Sequence, residues 1–283
     1  EEESMYGSVT AVREHGQINL FSGGRFAGVV AHNPGAAFNA HAAMSLHPEP
    51  RRVALAGGNV DMVREIMKHG PESLTVTERD PVLWSVRERF LDYEQMKILN
   101  NKRVRVEITD ARTFFTRTDA RFDVIIMDMG GPETLLLNRY YTSEFFETVH
   151  KRLNPRGVFA CTIGFQHNAI SAWQADLLGT HLKTMGRVFP RPLLLLGQNS
   201  ALLAVSRDKT MDYDPIPAVQ RYNDRGIESR DFDPLLLMQA LDEDTLAEAL
   251  KQPRLIGAAD ARGLLEYDMK KDRVGHVFHR LEN

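Results

Sequence analysis

Val53-Ala54-Leu55-Ala56-Gly57-Gly58-Asn59, continued by Asp61 to His69 and closed by Leu74-Thr75-Val76-Thr77-Glu78, is the stretch whose reading decides the fold. Val53 to Ala56 is a short strand with no polar residue to face water, so it is buried on both sides. Gly57-Gly58-Asn59 turns the chain, Asp61 to His69 is helical, and Gly70-Pro71 stops that helix. Leu74 to Thr77 is then a second strand, with Glu78 at its end.

The same alternation continues on the C-terminal side. Pro81 to Phe90 reads as a helix, Val104 to Ile108 as a third strand, and Ala111 to Phe115 as a helix. Val124-Ile125-Ile126-Met127 is a fourth strand, nearly all apolar. Tyr141 to Leu153 is helical, Asn154-Pro155-Arg156-Gly157 turns, and Val158 to Ile163 is a strand. Residues 169–186 form a further helix, and Leu193–Leu196 with Ala201–Val205 make a closing antiparallel pair. Strands alternating with helices, with continuous apolar strand runs, predict a parallel sheet covered on both faces. On the N-terminal side, Tyr6–Val12, Gln17–Phe21 and Phe26–Ala31 are punctuated by His15-Gly16 and Ser22-Gly23-Gly24, a small β-meander. A helix over 36–46 ends at His47-Pro48-Glu49-Pro50. Beyond 210, Asp212, Asp214, Pro215 and Pro217 read as a linker, and Asp233 to Lys251 as an amphipathic helical stretch. The predicted class is α/β: a Rossmann-like, class I methyltransferase-type sheet with an N-terminal β-meander and a helical C-terminal extension. The divisions fall at 1–46, 47–210 and 211–283.

Bulk properties exclude several functions. The 283 residues are 43% hydrophobic and 26% charged with a net charge of −3, an ordinary globular balance that offers no nucleic-acid-binding surface. Lys102, Arg103 and Arg105 are followed by Glu107, Asp110 and Asp119, the composition of a solvated strand edge. The single cysteine, Cys161, lies in the apolar run Val158 to Ile163, so it reads as a buried structural thiol in a reducing compartment. The histidines show no ligand spacing, and no metal is expected. No run approaches the length of a membrane span.

In an open parallel sheet, ligands sit beyond the carboxyl ends of the strands. After the first strand, Gly57-Gly58-Asn59 lets the backbone approach a ligand and aims a helix N-terminus at it; a plain turn is the alternative. After the second, Glu78 stands 21 residues beyond Gly57, the spacing of a carboxylate that grips a ribose diol, with a surface acid as the alternative. After the third, Asp110 can accept from an adenine amino group while the N–H of Ala111 reaches a ring nitrogen; a helix cap is the alternative, and both can hold together. After the fourth, Asp128 points into the cleft where it can accept a proton from an amine, or serves structure alone. A glycine turn or an acid at four successive strand ends predicts a nucleoside site. The missing third glycine of a GxGxxG turn argues against a nicotinamide dinucleotide.

These residues resemble the polyamine aminopropyltransferases, the spermidine synthase family. The resemblance runs from about Tyr6 to Val205. It includes Tyr6-Gly7-Ser8-Val9, His47-Pro48-Glu49-Pro50, Gly57-Gly58 with Arg64-Glu65-Ile66-Met67-Lys68-His69, Glu78-Arg79-Asp80-Pro81, and Asp110-Ala111-Arg112. It continues through Phe122 to Asp128, Pro132 and Tyr141-Thr142-Ser143-Glu144-Phe145-Phe146. It implies that Glu78 holds the ribose and Asp110-Ala111 the adenine of decarboxylated S-adenosylmethionine, a co-substrate in place of a tightly bound cofactor. It also implies that Asp128 is the proton acceptor when an amine displaces methylthioadenosine.

The chain departs from that family's pattern at the amine side. Asn59 stands where the family has an acid, and Gly131 in Asp128-Met129-Gly130-Gly131-Pro132 stands where a second acid binds the amine. Gly7, Gly23-Gly24-Arg25-Phe26-Ala27 and Gly35-Ala36-Ala37 also replace family residues. The expectation is an aminopropyltransferase with a largely altered polyamine site acting on a small-molecule amine. A methyltransferase using S-adenosylmethionine and a catalytically inactive nucleoside-binding homologue stand as alternatives. The resemblance further implies a homodimer or other homo-oligomer and a cytoplasmic location. The C-terminal stretch is similar to the tail of larger bacterial spermidine-synthase-like proteins, some with a membrane section upstream. A chain opening at Glu1 fits a cytoplasmic fragment of such a parent, with no membrane contact from this segment.

Overall fold

The computed structural model describes residues 1–30, 33–132, 134–164, 172–189, 192–196, 200–208 and 215–239. The chain opens with β1 (Glu2–Ser4), β2 (Gly7–Glu14), β3 (Gln17–Ser22) and β4 (Arg25–Val30), an antiparallel four-stranded sheet in sequence order. The expected meander is present, extended by β1, which folds back through the Ser4↔Gly7 pair. His15 and Gly16 both have positive φ (49° and 81°), the combination of a tight hairpin turn matching strand twist. Val9, Ile18, Leu20 and Val30 form the buried side of this sheet. They pack on Leu83 and Val86 of the helix that follows the second strand of the main sheet.

Next come α1 (Pro34–Leu46), β5 (Arg52–Ala56), α2 (Val60–Lys68), β6 (Ser73–Glu78), α3 (Pro81–Glu88), α4 (Tyr93–Leu99), β7 (Val104–Ile108) and α5 (Ala111–Arg117). The chain continues through β8 (Phe122–Met127), α6 (Leu135–Asn138), α7 (Ser143–Arg152), β9 (Leu153–Gly164), α8 (Ala172–Gly186), β10 (Leu193–Leu196), β11 (Ser200–Ser206) and α9 (Pro215–Asp224). The seven strands β5 to β11 form one sheet in the order β10-β11-β9-β8-β5-β6-β7. Strands β5 to β9 pair in parallel, and β11 pairs antiparallel with both β9 and β10. This is the predicted Rossmann-like α/β arrangement with its closing antiparallel pair. Val53, Leu55, Val124 and Ile126 face one apolar layer against α1 and α2, whereas Ala54, Ala56, Ile125 and Met127 face another against α5 and α7. Period-two alternation therefore buries both faces of the same strands.

The topology fixes the cleft. From β5 the chain winds outward to β6 and β7, then returns to add β8 on the other side of β5. The crevice beyond the carboxyl ends of β5 and β8 is the point where strand order reverses, the general ligand position in such sheets.

Four expectations change in detail. Helix α4 lies in a stretch left unassigned by periodicity; it is fixed by a capping box in which Asp92 and Gln95 each bond the other's backbone N–H. Asn154 to Gly157, read as a turn, lies inside β9. The ladder passes from Phe122↔Leu153 to Val124↔Val158, so the extra residues leave the register as a bulge. The stretch read as a linker contains the start of α9, where Pro215 occupies the first helical position without needing its missing N–H. Helix α9 packs on α1, with Ala218 and Tyr222 buried there. Pro234–Gln239 is a 3₁₀ turn, and the rest of the helix expected over Asp233 to Lys251 lies outside the described residues.

Candidate functional site

The glycine turn sits at the centre of the cleft. The N–H of Gly57 donates to the Thr77 carbonyl at 3.0 Å, and the N–H of Asp128 donates to the Ala56 carbonyl at 2.8 Å. Gly57 is thus locked between the ends of β6 and β8, with Glu78 on one side and Asp128 on the other. Its φ is +115°, and a Cβ there would lie 2.1 Å from the Asp128 carbonyl oxygen. Only glycine fits on both counts. A Cβ on Gly58 would meet the Arg87 guanidinium at 2.2 Å and the Glu78 carboxylate at 2.9 Å.

Asn59 has a use that the sequence does not reveal. Its Oδ1 accepts from the Met62 N–H at 3.2 Å, which caps α2, and its Nδ2 donates to Asp128 Oδ2 at 3.1 Å. The amide joins the first strand end to the fourth.

Glu78 is buried at the end of β6, with 7% of its surface exposed. Its Oε1 accepts from the Asp80 N–H at 3.1 Å, and its Oε2 pairs with Arg87 Nη1 at 3.3 Å. Asp80 caps α3 through bonds from the Val82 and Leu83 N–H groups and accepts from the Ser4 hydroxyl at 2.7 Å. That last bond ties β1 to the entrance of α3.

Asp110 stands two residues beyond β7, whose last residue Ile108 pairs with Glu78. Both sequence alternatives concerned its side chain, and the helix cap is realised: Oδ1 accepts from the Arg112 and Thr113 N–H groups at 3.0 and 3.2 Å. Its Oδ2 is held by Arg139 and the Tyr140 hydroxyl. Ala111 is buried at the first position of α5, where a helix N–H has no partner within the helix.

Asp128, half-buried, stands immediately beyond β8. Oδ1 accepts from the Thr162 hydroxyl at 2.9 Å and Oδ2 from Asn59. Burial pushes its pKa up, opposed by those two hydrogen bonds and by the positive charge of Arg87. Beyond it, the Tyr141 hydroxyl donates to the Gly130 carbonyl and pins the loop after β8. Cys161 is fully buried in β9, and burial pushes its thiol up, so it is an inert core residue. Among the described residues, no group of three or more His, Cys, Asp and Glu is arranged to hold a metal ion. None of the described helices is long and apolar enough to cross a membrane.

Gly57, Gly58, Asn59, Glu78 and Asp128 are joined by direct contacts, and Asp110 with Ala111 lies one strand further along the same edge. Sequence reasoning missed Arg87, Thr162, Arg139 and Tyr140. Arg87 comes from α3, Thr162 from β9, and Arg139 and Tyr140 from the turn after α6, and no local spacing announces them.

The comparisons with known proteins agree with this architecture. The sequence profile of the spermine/spermidine synthase domain matches residues 38–192. A polyamine aminopropyltransferase of Leptospira interrogans is 34% identical over 125 residues, covering 42% of this chain and 24% of that protein. One from Caldicellulosiruptor saccharolyticus is 29% identical over 160 residues, covering 56% and 55% respectively. The aligned region thus spans from about a quarter to about half the length of these curated relatives. The crystal structure of spermidine synthase from Thermotoga maritima superposes with a TM-score of 0.68 at 18% identity, over 89% of this chain and 87% of that one. A spermidine synthase bound to the transition-state analogue AdoDATO gives 0.66 at 17%, with the same coverage of both chains. With more than half of its length matched by that profile, the chain belongs to the spermine/spermidine synthase family.

Proposed function

We propose that this domain transfers an aminopropyl group from decarboxylated S-adenosylmethionine to a small-molecule amine. The observation that carries the proposal is the pair Glu78 and Asp128 on either side of Gly57, at the point where strand order reverses. Glu78 receives the ribose diol, while Asp110 and the N–H of Ala111 face the adenine edge. The amine nitrogen attacks the propyl carbon bonded to the sulfonium sulfur. That C–S bond breaks, its electron pair stays on sulfur, and neutral methylthioadenosine leaves. The new ammonium gives its proton to Asp128. Burial makes Asp128 a better proton acceptor than a surface carboxylate, and the Thr162 and Asn59 hydrogen bonds keep it aimed. With Asn59 committed to Asp128 and Gly131 carrying no charge, the site suits an amine with fewer positive charges than a free polyamine. The single buried thiol fits a reducing, cytoplasmic setting.

The test is release of methylthioadenosine from decarboxylated S-adenosylmethionine across a panel of mono-, di- and triamines. Asp128→Asn is expected to lower kcat about a hundredfold or more. Unchanged turnover in that variant removes Asp128 from the chemistry. Turnover of S-adenosylmethionine to a methylated product would replace this proposal with methyl transfer. Nucleoside binding without turnover of any amine would replace it with a binding function.

A further inference from the structure

We infer that Arg87 is a positioning residue for ribose recognition, acting through Glu78; the inference rests on the nucleoside reading proposed above. Arg87 lies in the last turn of α3, where a basic residue is ordinarily placed in water at a helix C-terminus. Its side chain is instead 6% exposed and faces Glu78, itself 8% exposed, with Nη1 3.3 Å from Oε2. The guanidinium lies 5.7 Å from the centre of the Trp84 ring and fills the space that a side chain at position 58 would need. It is therefore walled in by an aromatic ring, the glycine turn and the carboxylate. A guanidinium taken out of water this fully is costly unless it serves a fixed arrangement.

The arrangement it fixes has the stoichiometry of a diol site. An ionised carboxylate has about four acceptor positions, two on each oxygen. The Asp80 N–H uses one on Oε1, and Arg87 uses one on Oε2. One position remains on each oxygen, and a cis-diol donates two hydrogen bonds with that spacing. Arg87 and Asp80 thereby set the plane of the carboxylate, and the ribose completes it. Gly58 enters the same account, because any larger residue there would displace the guanidinium or the carboxylate.

The test is calorimetric titration of methylthioadenosine and its 2′,3′-dideoxy counterpart into the wild-type chain, Arg87→Met, Arg87→Lys, Glu78→Gln and the Glu78→Gln/Arg87→Met double variant. Arg87→Met is expected to weaken methylthioadenosine about tenfold, as for loss of one charge-supported contact, and to change the dideoxy ligand by less than about twofold. Arg87→Lys recovers part of the loss, and Arg87→Met adds nothing further once Glu78 is Gln. An equal loss on both ligands would mean that Arg87 only supports the fold. A gain in methylthioadenosine affinity would mean that the guanidinium competes with the ribose. Either result overturns the inference. If Arg87→Met does not fold, Arg87→Lys carries the comparison: a loss confined to the diol ligand supports the assignment, and an equal loss or none overturns it. Wild-type chain that binds neither nucleoside would end the nucleoside reading and this inference together. Wild-type chain that binds methylthioadenosine, with Arg87→Met binding it equally well, would end this inference alone.

Discussion

Replacing Gly57 by alanine separates the backbone role of the glycine turn from its ligand role. At φ +115° an L-residue is strained, at a cost of roughly 1–2 kcal/mol. The added methyl would also lie 2.1 Å from the Asp128 carbonyl oxygen and 2.9 Å from its carbonyl carbon, both backbone atoms that cannot rotate away. Moving them apart stretches the 2.8 Å bond from Asp128 N–H to Ala56 and the 3.0 Å bond from Gly57 N–H to Thr77. Overpacking of this kind costs about 1–3 kcal/mol, which brings the sum to about 2–5 kcal/mol. For a domain of this size that is a fall in Tm of roughly 4–20 °C. Urea denaturation with an unchanged m-value is the primary assay, because it reports stability separately from compactness. Gly58→Ala is the matched control. Its nearest neighbours would be the ends of the Arg87 and Glu78 side chains rather than backbone, so the clash is relieved by displacing the guanidinium or the carboxylate. It is expected to stay within about 1 kcal/mol of wild type while losing methylthioadenosine binding. Gly57→Ala within about 0.5 kcal/mol of wild type would refute the steric argument for the turn.

Acid should weaken the fold from the α1–α2–α9 side. Burial holds His69 at about 2 and His47 at about 4, both below the ordinary histidine value. Both are neutral in the folded chain, so their contribution is intact above about pH 6.5 and declines as pH falls, when the unfolded chain takes up protons first. The slope approaches about 1.4 kcal/mol per pH unit for each histidine between pH 6.5 and 4. His47→Gln and His69→Gln should flatten it in urea titrations, and an unchanged slope would count against both histidines. Arg225→Met removes donors from the carbonyls of Met44, His47 and Pro48 and a contact with His69 Nδ1 at 2.7–3.0 Å. Limited proteolysis is then expected to cut within 215–239 before it cuts the parallel sheet. A wild-type cleavage pattern would show that Arg225 does not hold α9 on α1.

Strands β5 and β8 are legible in the sequence because each is an apolar run buried on both faces, whereas β6 and the edge strand β7 are legible from the alternation of apolar and polar residues between a helix and a turn. The elements that escape are those whose cause is not apolar. Helix α4 has few buried positions and stands on the Asp92–Gln95 capping box, a signal present in the sequence but overshadowed by periodicity. The bulge in β9 lets Pro155, which has no N–H for a ladder, sit within a strand. Arg87 reads as a surface residue at the end of a helix. Its burial follows only once α3 folds back over the end of β6 and brings it to Glu78, nine positions away.

The polar residues at the strand ends each admit two roles in the sequence, for a geometric reason. In a parallel sheet each strand end is followed by a helix start, so the same position is asked to cap a helix and to face the cleft. Asn59 and Asp110 do the first with one side-chain atom. Asn59 Oδ1 caps α2 and Asp110 Oδ1 caps α5. What they offer a ligand depends on the other atom, which the sequence does not assign. Asn59 spends its Nδ2 on Asp128, while Asp110 gives its Oδ2 to Arg139 and Tyr140. Glu78 and Asp128 differ from them because no helix cap claims their carboxylates. Glu78 accepts from Arg87 and the Asp80 N–H, and Asp128 from Thr162 and Asn59, which leaves acceptor positions on both acids. The two acids that the helices do not use are therefore the two to which the proposed ribose contact and proton transfer are assigned.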